Sequence, residues 1–282
     1  ICKEFPQAEL YTLLYRPEQV TEAIRNRKVH VSGLQRVPGF LDHYRWFLPL
    51  FPMAMESFRV PAGTDLVLST SHCVAKGLVP PAGAKHLCYC FTPMRYAWSL
   101  QEEYFGRNPV KRAALELALG RLRKWDQAAS ARVDRFVAIS QYVKARIEKF
   151  YGREAAVVYP PVATQFFTPD ERGGHDGYDL VVSALVPYKR VDLAVRAYAR
   201  TGFPLKIAGV GTELEALKKL GAPNVEFLGR VPDEGVRELY RRCRFLVFPG
   251  EEDFGIVPLE AQACGKPVLA YGKGGLLETV GE

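Results

Sequence analysis

Nowhere in the 282 residues is there an unbroken apolar run of about eighteen, the length a membrane-crossing helix needs, so no such helix is expected. Cysteine is sparse. The six are scattered, and the one close pair, Cys88 and Cys90, has a single residue between them. That spacing suits neither a zinc knuckle nor a Cys-x-x-Cys redox dithiol, and all six are expected as reduced thiols. His, Cys, Asp and Glu do not recur at ligand spacing, so no metal is expected. Finger motifs, aromatic-rich sheet motifs and long basic runs are also missing, and a nucleic-acid partner is not expected. The opening Ile1-Cys2-Lys3-Glu4 has neither a Met nor the pattern of a secretory signal, which leads to the expectation of a cytoplasmic protein.

What is present is ordinary for a globular chain: 48% hydrophobic and 24% charged residues, with a formal net charge of +7. The positive balance favours anionic partners, a nucleotide or an anionic membrane surface among them. The length suffices for two α/β domains. From Tyr178 onward, short apolar runs alternate with amphipathic stretches. Strands are predicted at Asp179–Leu185, Leu205–Ala208, Val225–Leu228, Phe245–Phe248 and Val268–Tyr271. Helices are predicted between them at Asp192–Arg200, Glu213–Leu220, Glu234–Cys243 and Ile256–Cys264, a pattern that means a parallel sheet. The first half alternates in the same way, with strands at Glu9–Tyr15, Lys28–Ser32, Asp65–Ser71, His86–Phe91 and Arg135–Ser140. Its predicted helices include Pro109–Ser130 and Gln141–Tyr151, the latter with Ser140 as N-cap. Gly39–Phe58 reads as aromatic helical core interrupted by Pro49 and Pro52. Residues 163 to 178, with Pro169, Gly173, Gly174 and Gly177, read as a linker. The expected division is 1–163, 164–178 and 179–282.

The chain is organised around Phe248 to Glu260. A buried strand feeds the loop Pro249-Gly250-Glu251-Glu252-Asp253-Phe254-Gly255, and the loop feeds a helix start whose free N–H groups attract anions. Glu252 lies in the loop, and Glu260 lies on the helix eight positions later. In parallel sheets ligands gather beyond the carboxyl ends of strands, which gives weight to several other residues. Lys189 and Arg190 follow the first strand of the second half and suit a diphosphate whose charge must be neutralised. Gly209 and Gly211 follow the second. Gly274 and Gly275 follow the last, where glycine lets backbone N–H groups reach phosphate oxygens. In the first half, His72 and Lys76 follow one strand and Arg95 follows another. The helix from Pro109 carries Lys111, Arg112, Arg121, Arg123 and Lys124 among leucines. It is either a solvated face over a core stripe or a basic face lying on anionic lipid.

Glu252-x7-Glu260 enclosing Phe254-Gly255, followed by Glu260-Ala261-Gln262-Ala263-Cys264-Gly265-Lys266-Pro267-Val268, resembles the donor-site signature of family-4 retaining glycosyltransferases. Thr92-Pro93-Met94-Arg95-Tyr96-Ala97-Trp98 and Leu185-Val186-Pro187-Tyr188-Lys189-Arg190 are similar to blocks of the GDP-mannose-using branch, which acts in bacterial O-antigen and exopolysaccharide assembly. The resemblance implies a GT-B fold, with two Rossmann-like α/β domains whose parallel sheets face each other across a cleft. It implies that Glu260 bonds the ribose and that Glu252 and the Phe254-Gly255 backbone hold the sugar. Lys189, with Arg190, would stabilise the leaving diphosphate. Gly209, Gly211, Arg230 and Val231 would line the nucleotide. His72, Lys76 and Arg95 would serve from the acceptor-side domain. The sequence departs from the family at Phe91, where relatives carry His, and at Ala184, where they carry Arg. Relatives also begin with an earlier strand and glycine loop and continue past Glu282, so a chain cut at both ends is expected.

The activity implied is transfer of a hexose, mannose from GDP-mannose, to a saccharide or lipid-linked acceptor with retention of configuration. No cofactor or metal is expected, and contact with the inner face of the plasma membrane would be peripheral. Two rivals stand beside it: a non-catalytic nucleotide-sugar binder, and an NAD-dependent oxidoreductase. The second is weakened by Leu214, which stands where a dinucleotide fingerprint needs glycine.

Overall fold

A computed structural model describes residues 2, 4–99, 109–171 and 173–281. The chain forms two compact units, Ile1–Ala138 with Lys144–Ala156, and Ile139–Val143 with Val157–Glu282. The chain therefore passes into the second unit at Val157, and the start of the helix Gln141–Tyr151 packs with that second unit.

The first unit holds two parallel sheets. Strands β1 (Leu10–Thr12) and β2 (Val29–Val31) pair with each other. Strands β3 (Leu66–Ser71), β4 (Lys85–Cys90), β5 (Arg135–Ala138) and β6 (Ala155–Val157) lie side by side in chain order. Burial alternates along β3 and β4, so every second side chain is enclosed. The aromatic stretch after Gly39 is core only in part, since Tyr44 is exposed and Trp46 is 78% exposed. Phe40 and Phe51 are buried and pack edge to face at 6.2 Å. Pro49 lies within a 3₁₀ stretch, Tyr44–Leu50. Pro52 does not interrupt a helix but begins one, at the first turn of Phe51–Glu56, where its missing N–H costs nothing. The helix Pro109–Ala131 buries Leu119 and Leu122 and sets the Trp125 ring against Gly77, where even a Cβ would lie 2.4 Å from that ring. The side chains of Lys111 and Arg112 lie outside the described residues.

The second unit is a five-stranded parallel sheet of β7 (Asp179–Val182), β8 (Leu205–Ala208), β9 (Val225–Gly229), β10 (Leu246–Phe248) and β11 (Val268–Ala270), ordered β11-β10-β7-β8-β9. Period-two alternation divides its core. Leu180, Leu246 and Phe248 pack on one face with Tyr240, Cys243, Ala261 and Cys264. Val181 and Val247 pack on the other with Val191, Val195 and Leu217. Because both faces are covered by helices, the strands read as continuous apolar runs. Strand β7 ends three residues before the predicted Leu185. Beyond Val182 the backbone leaves the regular ladder but stays attached to its neighbour, with Ser183 N–H on Ala208 O at 3.1 Å and Leu185 N–H on Val210 O at 2.9 Å.

Candidate functional site

All five strands of the second unit point the same way, so the loops that leave them share one sheet edge. Strands β7 and β10 are neighbours, yet the chain leaves β7 towards β8 and leaves β10 towards β11. This is the reversal point at which parallel sheets open a crevice. Lys189 comes from the loop after β7 and Glu252 from the loop after β10, and their side chains form an ion pair. Side-chain exposure is 16% for Lys189 and 14% for Glu252, so the pair is largely withdrawn from water. The ammonium also lies over the Phe248 ring, 5.6 Å from its centre. Gly250 makes the approach possible, since a Cβ there would stand 2.8 Å from the Lys189 carbonyl oxygen.

Arg190 has a backbone φ of 51°, the one left-handed non-glycine residue among those described. It turns the chain from Lys189 into the helix Val191–Thr201. Its guanidinium grips Asp192 in two-pronged fashion, at 3.0 and 3.3 Å, and this contact raises its pKa further. Arg190 therefore serves the turn and its neighbour in this structure, while Lys189 is the cation brought to Glu252.

The glycines of the edge allow loop to meet loop. A Cβ on Gly209 would fall 1.8 Å from Ser183 O, and one on Gly211 would fall 2.2 Å from Leu185 O. On Gly274 it would meet Glu252 O at 2.4 Å, and on Gly275 it would meet Asp253 O at 2.2 Å. Glu252 and Gly274 form a parallel bridge, and Gly275 N–H donates to Glu252 O at 2.8 Å. The Gly275 amide, expected to face phosphate, is thus spent on the acidic loop itself.

Gly255, with φ 99°, turns the loop into the helix Ile256–Ala263. Phe254 is buried, stacked on Tyr159 at 5.5 Å. Glu260 lies one turn before the end of that helix, where its Oε2 accepts the Tyr240 hydroxyl at 3.0 Å. Burial raises the Glu260 pKa, the Tyr240 hydrogen bond pulls it down, and Asp233 adds to the rise. Among the described residues its Oε1 carries no hydrogen bond, which leaves an acceptor for a hydroxyl. Arg230 is exposed and Val231 half-buried just beyond β9, on the same edge.

In the first unit, His72 and Arg95 follow β3 and β4 and are close enough to interact. Desolvation and then the Arg95 charge lower the His72 pKa, which favours the neutral imidazole. Phe91 is exposed beside them, edge-on to Tyr89 at 5.4 Å. Lys76 is placed otherwise than its strand-end position suggests. It is 2% exposed and paired with the fully buried Asp126, which also accepts the Trp98 indole N–H and the Tyr151 hydroxyl at 2.8 Å each. Its ammonium points into the core, so it offers no charge to a ligand. The sequence pattern does not single out Asp126 or Tyr240. Each is a polar residue on an amphipathic helix, and nothing in its spacing announces that it is buried. Among the described residues no group of three or more His, Cys, Asp or Glu could hold a metal ion, and no helix is long and apolar enough to cross a membrane.

Residues 170–282 match the family model "Glycosyl transferases group 1". An uncharacterised glycosyltransferase of Methanocaldococcus jannaschii is 32% identical over 157 residues, covering 54% of this chain and 44% of the relative. The GDP-mannose-dependent α-(1-6)-phosphatidylinositol monomannoside mannosyltransferase of Mycolicibacterium smegmatis is 34% identical over 172 residues, covering 50% and 45%. The matches thus span less than half the length of these relatives. Among solved structures, Anabaena HepE with UDP-glucose superposes with a TM-score of 0.68 at 16% identity, over 100% of this chain and 77% of that one. Sucrose-phosphate synthase of Thermosynechococcus elongatus gives 0.70 at 17% identity, over 96% and 72%. These likenesses show the fold: the chain has the GT-B fold, with two α/β units, each built on parallel strands.

Proposed function

We propose that the chain moves a hexose from a nucleotide diphosphate sugar to an acceptor hydroxyl, with retention at the anomeric carbon. The observation that carries this is the meeting of Lys189 and Glu252 at the reversal point of the second sheet, with Glu260 on the helix that the same loop begins. Lys189 neutralises the diphosphate as it leaves. Glu252 and the backbone at Phe254-Gly255 hold the sugar, and Glu260 accepts from the ribose hydroxyls. The departing phosphate oxygen takes the acceptor proton on the face it has just vacated, so no carboxylate base is required. A fixed cation whose attraction grows as negative charge develops on the leaving diphosphate is the efficient form of such catalysis.

GDP-mannose is the proposed donor, supported by the Thr92–Trp98 and Leu185–Arg190 blocks and by the mannosyltransferase relative. A saccharide or lipid-linked hydroxyl is the proposed acceptor, with His72 and Arg95 assigned to its side. Titration calorimetry with GDP-mannose, UDP-glucose and ADP-glucose tests the reading. GDP-mannose is expected to bind best, and Glu260→Ala to abolish binding. Failure of all three to bind, or unchanged affinity in Glu260→Ala, would refute it. NADH binding that survives Glu260→Gln would point to an oxidoreductase instead.

A further inference from the structure

Three acids stand in a row in the loop after β10: Glu251, Glu252 and Asp253. One of them faces Lys189, and the structure shows what selects it. Glu252 pairs with Gly274 in a parallel bridge, and the acids on either side of it are engaged elsewhere. Glu251 is taken by the Tyr142 hydroxyl, which donates to its Oε1 at 2.5 Å, and by Lys273, 2.9 Å from its Oε2. The Asp253 carbonyl accepts the buried Ser140 hydroxyl at 2.5 Å. Ser140 and Tyr142 belong to the short segment Ile139–Val143 that packs with the second unit. Glu278 fixes that segment in turn, accepting the Gln141 and Tyr142 amides at 2.8 and 2.9 Å and the Tyr159 hydroxyl at 3.1 Å.

We propose that Tyr142 is a positioning residue that sets the register of the acidic loop. By holding Glu251, it leaves Glu252 as the carboxylate presented to Lys189 and, on the reading above, to the donor sugar. A shift of the loop by one residue would offer Glu251 or Asp253 in its place. Ser140 secures the same register from the next residue. The inference deepens the proposed function by naming what selects the sugar-holding carboxylate.

The test is Tyr142→Phe, which keeps the ring and deletes the hydroxyl. Transfer from GDP-mannose is expected to lose about tenfold in kcat. Affinity for GDP alone, which rests on Lys189 and Glu260, should stay within about twofold. Tyr142→Phe/Glu251→Gln removes the competing carboxylate and is expected to recover much of kcat, which a merely structural defect would not do. Unchanged kcat in Tyr142→Phe, or parallel losses of kcat, GDP affinity and melting temperature with no recovery in the double variant, would overturn the assignment. Wild-type chain that binds no nucleotide sugar would instead refute the proposed function. In that event a crystal structure of Tyr142→Phe still decides the register: Glu252 turned away from Lys189 supports the proposal, and an unmoved loop sinks it.

Discussion

Replacing Glu252 by Gln should tighten binding of a nucleoside diphosphate while impairing sugar transfer. Lys189 already has an anion beside it, the Glu252 carboxylate, and both side chains are mostly out of water. Opposite charges about 4 Å apart attract by roughly 4 kcal/mol at an effective dielectric near 20. A diphosphate must draw Lys189 out of that pair and must also approach against the negative charge of Glu252. Gln keeps the size of the side chain and removes both obstacles. Most of the Coulombic gain is cancelled because the pair's desolvation cost disappears with it. A net improvement of about 1.4 kcal/mol, or tenfold in Kd, is therefore the expected scale for GDP. Transfer from GDP-mannose should fall by about a hundredfold, the order of effect seen when one preorganised polar contact is deleted from a reacting centre. Calorimetry at one fixed salt concentration reads the first change and a product assay the second, with Lys189→Ala as the opposite control. If Glu252→Gln binds GDP no better than wild type while Lys189→Ala binds it worse, Glu252 is not the competitor and the reasoning fails.

Other consequences are as direct. Burial raises the Glu260 pKa, so on lowering the pH its ionised form, and nucleotide affinity with it, should be lost above the ordinary carboxylate range near 4.5. Tyr240→Phe removes the bond that holds the pKa down and should shift that acid limb further up; a limb that does not move would break the link. Lys76→Met leaves the buried Asp126 uncompensated and should cost about 3–5 kcal/mol in chemical unfolding, with GDP affinity below the transition unchanged. Lost affinity in a fully folded Lys76→Met would return that lysine to the binding site. Transfer is expected to persist in excess EDTA, and loss that magnesium restores would place a cation at the diphosphate.

Much of the second unit was legible because its strands are buried on both sides. Leu180-Val181 and Leu246-Val247-Phe248 need apolar groups towards both layers, so each announces itself as a short unbroken run. The positions of Lys189, Glu252 and Gly274 past strand ends followed from that. What they touch did not follow, because it depends on which strands are neighbours. The adjacency of β7 and β10 is a property of sheet order, and nothing in local sequence states it. The reading of Gly275 erred for the same reason: its small size serves the close approach of Asp253, a residue from another loop. Lys76 shows a further limit. A lysine after a strand looks exposed until the Asp126 that neutralises it, 50 positions later, is seen beside it.

The acidic loop shows how far these limits reach into the chemistry. Glu251-Glu252-Asp253 offers three carboxylates in succession, and a motif of two glutamates eight positions apart names Glu252 without giving a physical reason for choosing it. The reason lies in groups distant along the chain: a hydroxyl at Tyr142, an ammonium at Lys273, and a glycine at 274 that bridges to Glu252. Those partners do the sorting, because they hold the Glu251 carboxylate while Glu252 pairs with Lys189. The site is therefore specified by the register of one bridge as much as by the identity of its acid. This yields a last expectation. Gly274→Ala, whose Cβ would stand 2.4 Å from Glu252 O at a φ of 72°, must push the two loops apart. It should abolish transfer even though every charged group of the site is kept. Wild-type transfer by folded Gly274→Ala would show that the charges suffice without the bridge.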